Sequence, residues 1–398
     1  MKKLFAAIPL LALALIGCTP SSSSSLPSSS APESSIPSES SSSEEPVYEN
    51  VNYQNPLRFH KQDGSEYFVT CADPDVIYGD DGYWYMYCTN TYCEMGDKGV
   101  AYDRGPIFRS QNLIDWTWAG SVFDGHSDAL EWGDPDAGVW APSVLKVGDT
   151  YNYYYSLSLW GDSNPGIGVA TSPTPYGPWT HYGMVLDSET SGVSNSIDPQ
   201  ALYVGEELYL VWGSFYGIAA TKLTDDGIEP FCGLAALKDN LIWIVEDNSG
   251  GTMDIDINYE GSYIIEIDGS WYYFGSQGSC CSGVDSTYRV KVGKSDSFFG
   301  DFKGSDGKKL HEGTYGDLVI GPSEQVAGTG HNTIVRDFAG DYWIFYHGFD
   351  INGEFPNERV PFIDKLLFDE DTGMPYVSGY KASYREEKVG PCVIASYQ

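Results

Sequence analysis

Basic residues are scarce: 22 Lys and Arg stand against 56 Asp and Glu in 398 residues, a formal net charge of −34 with histidine neutral. Phosphate backbones need a Lys/Arg surface, so this balance argues against a nucleic-acid partner. The N-terminal apolar stretch, Leu4 to Ile16, is broken by Pro9 and falls short of the about 20 residues that a spanning helix requires. There is no HExxH pair, the six histidines are scattered and no CxxC occurs, which excludes the usual zinc spacings. GxSxG, GxxxxGK[ST] and a helix-opening GxGxxG are also missing, so serine-hydrolase, nucleotide-binding and dehydrogenase chemistries drop away.

What is abundant points to strands. Phe, Trp and Tyr number 17, 11 and 30, and glycine adds 45, a mixture suited to many short strands joined by tight turns. The expectation is an all-β protein.

The first 18 residues, two lysines followed by an apolar segment and then Leu15-Ile16-Gly17-Cys18, have the form of a secretory signal. Their end resembles the lipobox of bacterial lipoproteins, which implies a lipidated Cys18 and an extracytoplasmic, membrane-anchored protein. Residues 19–46 contain 15 Ser and 5 Pro with almost nothing to bury, the composition of a disordered tether. Residues 47–398 form the globular part. Setting Cys18 aside leaves an odd seven cysteines, among them the adjacent Cys280 and Cys281, whose pairing the sequence leaves open.

One unit recurs five times in the globular part. A glycine turn leads into an aromatic-rich strand at DGYWYMYCT, GDTYNYYYSL, GEELYLVWGSF, DGSWYYFGS and GDYWIFYHG, the turn glycines being Gly82, Gly148, Gly205, Gly269 and Gly340. Their spacing of about 57–71 residues accommodates four short strands per repeat. Before each turn lies a segment with a polar or Pro-bearing start: ADPDVI, WAPSVL, IDPQAL, EGSYII and GHNTIV. Radially repeated four-stranded sheets make a β-propeller whose innermost strands surround a channel, so a five-bladed propeller is expected. Equivalent positions then converge on the axis. Asp73, Trp140, Asp198, Glu260 and His331 should face one another at the channel mouth.

Three converging carboxyl groups suit glycosidic hydrolysis: a protonated acid donates to the leaving oxygen, an ionised base activates water, and a third raises the pKa of the acid. Trp140 offers a flat apolar face to a sugar ring.

These motifs resemble those of glycoside hydrolase family 43, the five-bladed inverting arabinan- and xylan-active enzymes, in order from about Asn55 to Val377. The resemblance implies that Asp73 is the general base, Asp198 the pKa-tuning and orienting aspartate, and Glu260 the general acid. It implies that His331 stands beside a mostly water-coordinated channel metal, usually calcium, with no organic cofactor, and that Trp140 is a wall of the substrate site. Two further segments, from Ser163 and from Gly278, are similar to arabinan-degrading members. The sequence departs from many endo-acting members at Glu260-Gly261-Ser262, and the run NERVPFIDK is also familiar from exo-acting ones. The leading expectation is an inverting endo-hydrolase of α-1,5-arabinan, acting on plant cell-wall arabinan or arabinoxylan oligosaccharides. An exo-acting α-L-arabinofuranosidase or β-xylosidase is the nearest rival, and a non-catalytic glycan-binding surface lipoprotein is the rival from another class.

Overall fold

The computed structural model describes residues 46–124, 130, 132–247 and 250–395; Cys18, the signal segment and nearly all of the tether lie outside them. Five antiparallel blades follow one another in chain order, as the repeats predict. Blade I is built on Asp75–Tyr78, Trp84–Tyr87, Pro106–Ser110 and Asp115–Ser121; blade II on Gly138–Val147, Thr150–Ser158, Gly166–Ser172 and Thr180–Asp187. Blade III comprises Gln200–Val204, Glu207–Trp212, Ile218–Lys222 and Ile242–Val245, and blade IV comprises Glu260–Ile267, Ser270–Gln277, Arg289–Ser295 and Asp317–Ile320. Blade V contains Val326–Arg336, Tyr342–Asp350, Arg359–Phe368 and Pro375–Val377.

All five turn glycines have positive φ, between 58° and 92°, the conformation that a tight hairpin demands and a β-carbon penalises. The strands that follow them are almost wholly buried; in Thr150–Ser158 only Thr150 is not. Each lies second in its blade with a neighbouring blade on either face, so its sequence is continuously aromatic rather than alternating. Apolar packing accordingly falls into five clusters, one at each junction between blades. The V–I junction has no covalent continuity and is closed by the segment that leads into blade I. Tyr48–Tyr53 pairs with Lys388–Ile394, Asn55 exchanges two hydrogen bonds with the Ile363 backbone in blade V, and Arg58–His60 adds in parallel to the outer edge of blade I.

The inner strands of blades II, IV and V carry an extra residue, where three steps along the strand match two along its partner. Trp140 pairs with Ser156 but Ser143 with Tyr154, Glu260 with Ser276 but Tyr263 with Phe274, and Gly330 with His347 but Thr333 with Phe345. Such bulges re-aim side chains and are common beside active sites. The residue at this point is left-handed in all five blades: Asp73, Ala141, Asp198, Gly261 and His331 have φ between 43° and 58°. This corrects the phase expected from the sequence. Asp73, Asp198 and His331 are equivalent, whereas Trp140 and Glu260 each stand one residue earlier.

The left-handed residues are tied together around the axis. Asp73 donates its N–H to His347 Nδ1, Ala141 to Thr89 Oγ1, Asp198 to Ser156 Oγ and His331 to Ser276 Oγ, each bond reaching the second strand of the preceding blade or the residues just after it. Blade III alone supplies no side chain there, because the matching residue is Gly213. One layer deeper a second ring repeats the device. Asp75 Oδ2 accepts from Val144 N, Ser143 Oγ from Ala201 N and Gln200 Oε1 from Ile264 N, while the Tyr263 hydroxyl donates to Ile334 O.

Candidate active site

A cavity of about 1220 Å³ opens at the channel mouth, and Asp73, Trp140, Asp198, Glu260 and His331 all line it. The structure thus brings together every site residue expected from the sequence within the described part of the chain. The three carboxyl side chains are buried, at 7%, 6% and 7% exposure for Asp73, Asp198 and Glu260. Buried charges survive only with partners, and the three differ sharply in theirs.

Asp73 faces a cation, a hydroxyl donor and two imidazoles. Thr89 donates to Oδ2 at 2.5 Å, Arg359 lies 3.3 Å from Oδ1, and the Nδ1 atoms of His331 and His347 lie 3.3 Å and 3.2 Å from the same oxygen. Burial pushes this carboxyl up, but Arg359 and the two histidines outweigh it and hold the group well below the usual range. His347 is itself pushed down to about 4, chiefly by burial, so it is neutral at pH 7 and Arg359 carries the standing charge. Asp73 is therefore ionised. The Cys71–Cys88 disulfide links the residue two before Asp73 to the one before Thr89, bracing donor and acceptor against each other.

Asp198 and Glu260 behave in the opposite way. Burial raises Asp198 well above its ordinary value, and the charges of Glu260 and Asp73 raise it further. Burial likewise pushes Glu260 up to about 7, against hydrogen bonds from Ser214 and Tyr288 that favour its ionised form. Two coupled acids so placed titrate as a unit and keep one proton between them across neutral pH. Gly213 explains their contact. With no side chain at that position, the Gly261 N–H, next to Glu260, is taken by Asp198 Oδ2 at 3.0 Å, and Ser214 donates to Glu260 Oε2 at 2.8 Å.

Arg359, His347, Tyr288 and Trp160 were not expected from the sequence. Tyr288 hydrogen-bonds to Glu260 and stacks on His347 with centroids 5.7 Å apart. It has room only because residue 330 is glycine, whose β-carbon would lie 2.0 Å from the Tyr288 ring. The ring of Trp160, 76% exposed, packs 5.9 Å from that of Trp140 in the cavity wall. Gly261, where the sequence departs from Glu-Ala-Pro, also has a local reason: a β-carbon there would lie 2.9 Å from His331 Nδ1.

For a metal, the protein donors are few. Among the described residues no three His, Cys, Asp or Glu side chains are grouped to hold an ion. His331 offers one imidazole, and calcium takes six to eight oxygen ligands, so an ion beside it would draw them mainly from water.

An ionised carboxylate and a proton-sharing carboxyl pair around one cleft, on a propeller, define a glycoside hydrolase. The family model for glycosyl hydrolases family 43 matches residues 58–375, and the chain belongs to that family. It is 30% identical over 287 residues to a probable arabinan endo-1,5-α-L-arabinosidase A of Aspergillus flavus, covering 70% of this chain and 82% of the relative. It is 28% identical over 281 residues to an extracellular exo-α-(1→5)-L-arabinofuranosidase of Cellvibrio japonicus, covering 63% and 76%. A solved endo-arabinanase from Bacillus licheniformis superimposes with a TM-score of 0.61 at 26% identity, over 77% of this chain and 97% of that one.

Proposed function

We propose that the protein is an inverting hydrolase of α-L-arabinofuranosyl links that cuts within α-1,5-arabinan. The observation that carries the reading is the electrostatic division of the site: an ionised Asp73 beside a coupled Asp198–Glu260 pair that retains a proton. Asp73 takes a proton from a water attacking the anomeric carbon. Glu260, kept protonated by burial with the Asp73 charge adding, protonates the departing oxygen on the opposite side, and Asp198 shares the proton of the pair and orients Glu260 through the Gly261 N–H. The product then has inverted configuration. Relatives named for arabinan cleavage support the substrate. A cavity of about 1220 Å³ exceeds the roughly 300–1,000 Å³ of a drug-sized ligand site, which favours several sugars over one and hence internal cleavage. The proposal includes a mostly hydrated calcium ion beside His331, which would supply positive charge near Asp73 and which metal analysis of the purified protein would detect. It also includes residues 1–18 as a lipoprotein signal, a lipid on Cys18 and 19–46 as a tether holding the 47–398 propeller at the bacterial surface.

The test is hydrolysis of linear arabinan by the soluble domain, followed by product sizing and by NMR of the first-formed anomer. Mixed oligosaccharides of inverted configuration are expected. Release of single arabinose units would make the enzyme exo-acting, and a retained anomer would overturn the roles of Asp73 and Glu260.

A further inference from the structure

The disulfide between Cys280 and Cys281 has no part in the chemistry above, yet both residues line the cleft. They sit on the loop from Gly278 to Tyr288, between the second and third strands of blade IV. Bonding neighbouring cysteines closes a small ring, so two flexible polar thiols are replaced by a fixed face of soft, polarisable sulfur. Cys280 is half-buried and Cys281 exposed. The loop is braced from within. Ser279 and Thr287 exchange N–H to hydroxyl bonds, Tyr288 N–H reaches Ser279 O, Ser282 N–H reaches Ser286 Oγ, and Gly278 N–H is held by Ile255 O. Its last residue, Tyr288, bonds to Glu260, which fixes the sulfur face in register with the acid.

Across the axis is blade II, not adjacent to blade IV in the ring, with Trp140 and the exposed Trp160 in the cavity wall. The cleft thus has an aromatic wall on one side and the disulfide on the other, with the carboxyl groups between. A pentose ring has two faces rich in C–H, and such a gap suits both. We propose that the Cys280–Cys281 disulfide is a sugar-binding element, packing against a pentose of the bound chain next to the one being cleaved. This rests on the reading that the cleft takes pentose oligosaccharides.

The experiment compares wild type, Cys280→Ala/Cys281→Ala, and wild type treated with dithiothreitol, on arabino- and xylo-oligosaccharides of two to six sugars. Dithiothreitol passes two electrons and two protons to the sulfur pair and closes to its own cyclic disulfide. The Cys71–Cys88 bond, with both residues at 0% exposure, is shielded from it. Thiol labelling verifies selective opening, and the reduced wild type serves if the double variant folds poorly. The loss is expected in KM rather than kcat, on the order of tenfold as for one lost apolar contact, equal for every chain long enough to fill that position and reversed on reoxidation. Unchanged KM at every length would overturn the proposal. So would an equal fall in kcat at every length with a lower melting temperature, since that is the signature of a structural brace. If wild type cleaves only the xylo series, the arabinan reading fails on its own, and the disulfide is judged by the same criterion on the series that is cleaved.

Discussion

Asp73 and Asp75 stand two residues apart in ADPDVI and are almost equally buried, at 7% and 8% exposure, yet their environments drive them in opposite directions. Asp73 is held well below the carboxylate range, whereas burial pushes Asp75 up to about 6. The difference lies in what each carboxyl meets. Asp75 meets no cation; its partner is the neutral Val144 N–H, which donates to Oδ2 and forms one link of the second ring of inter-blade bonds. Asp73 lies one layer higher, turned by its left-handed backbone towards Arg359, His331 and His347. Burial alone makes a buried aspartate a structural acceptor; burial beside a fixed cation makes it a base.

The widest separation between the two should appear in turnover. Asp73→Asn is expected to lower kcat on arabino-oligosaccharides by about 10²–10⁴-fold, the size of a general-base contribution, while Asp75→Asn stays within about tenfold. Steady-state kinetics on one substrate preparation decides it. Comparable losses in the two variants would mean that position on the inner strand does not select the base.

Glu260→Gln extends the contrast to the acid. A sugar alkoxide leaves poorly without a proton, but a nitrophenolate leaves readily. The variant should lose about 10²–10⁴-fold on oligosaccharides and far less on an aryl arabinofuranoside that the wild type accepts, whereas Asp73→Asn loses heavily on both. Equal damage from Glu260→Gln on the two leaving groups would assign the acid to another residue.

Much of this arrangement was legible in the sequence because it repeats. Five turn glycines and five polar or Pro-bearing starts marked the blades, and Asp73, Asp198 and His331 fell at one phase. Trp140 and Glu260 came out one residue off, because in blades II and IV the left-handed position is held by Ala141 and Gly261, which carry no functional side chain to mark it. The ring of acceptors around the left-handed residues was readable but unread. The second-strand motifs reach Thr89, Ser156, Ser276 and His347 seven or eight residues after the turn glycine, and the third has Gly213 there. Arg359 carries no such mark. It enters from the third strand of blade V, and only the closing of the ring brings it to Asp73 in blade I.

Arg359→Gln should reduce the contrast directly. Without the guanidinium the Asp73 carboxyl rises, and because a base works only when ionised, activity begins to fail at a higher pH as the solution is acidified. Arg359 also lowers Glu260, so the basic limit set by the acid rises as well. The whole kcat/KM profile is expected to move towards higher pH, and on its acidic side activity falls about tenfold for every pH unit by which that limit rises. A profile that only falls in height, with both limits unmoved, would remove Arg359 from the electrostatic account.

The smallest effect on catalysis, and the cleanest on stability, belongs to Asp75. Its folded value of about 6 lies above its ordinary 3.8, so the folded protein binds this proton more tightly than the unfolded chain. The associated stability is present in full below about pH 4 and is lost as pH rises through about 6. A rise of about two pH units corresponds to about 3 kcal/mol. Asp75→Asn has no proton to lose and keeps one oxygen to accept the Val144 N–H, although its amide nitrogen faces donors and offsets part of the gain. The expected signature is therefore a difference: the melting temperature of Asp75→Asn minus that of wild type should climb between pH 4 and pH 7, whatever its starting value. Titrations elsewhere in the chain cancel in that subtraction. A flat difference would show that Asp75 ionises as easily as an exposed carboxyl, and the opposing fates of the two aspartates would then need a cause other than the charges around them.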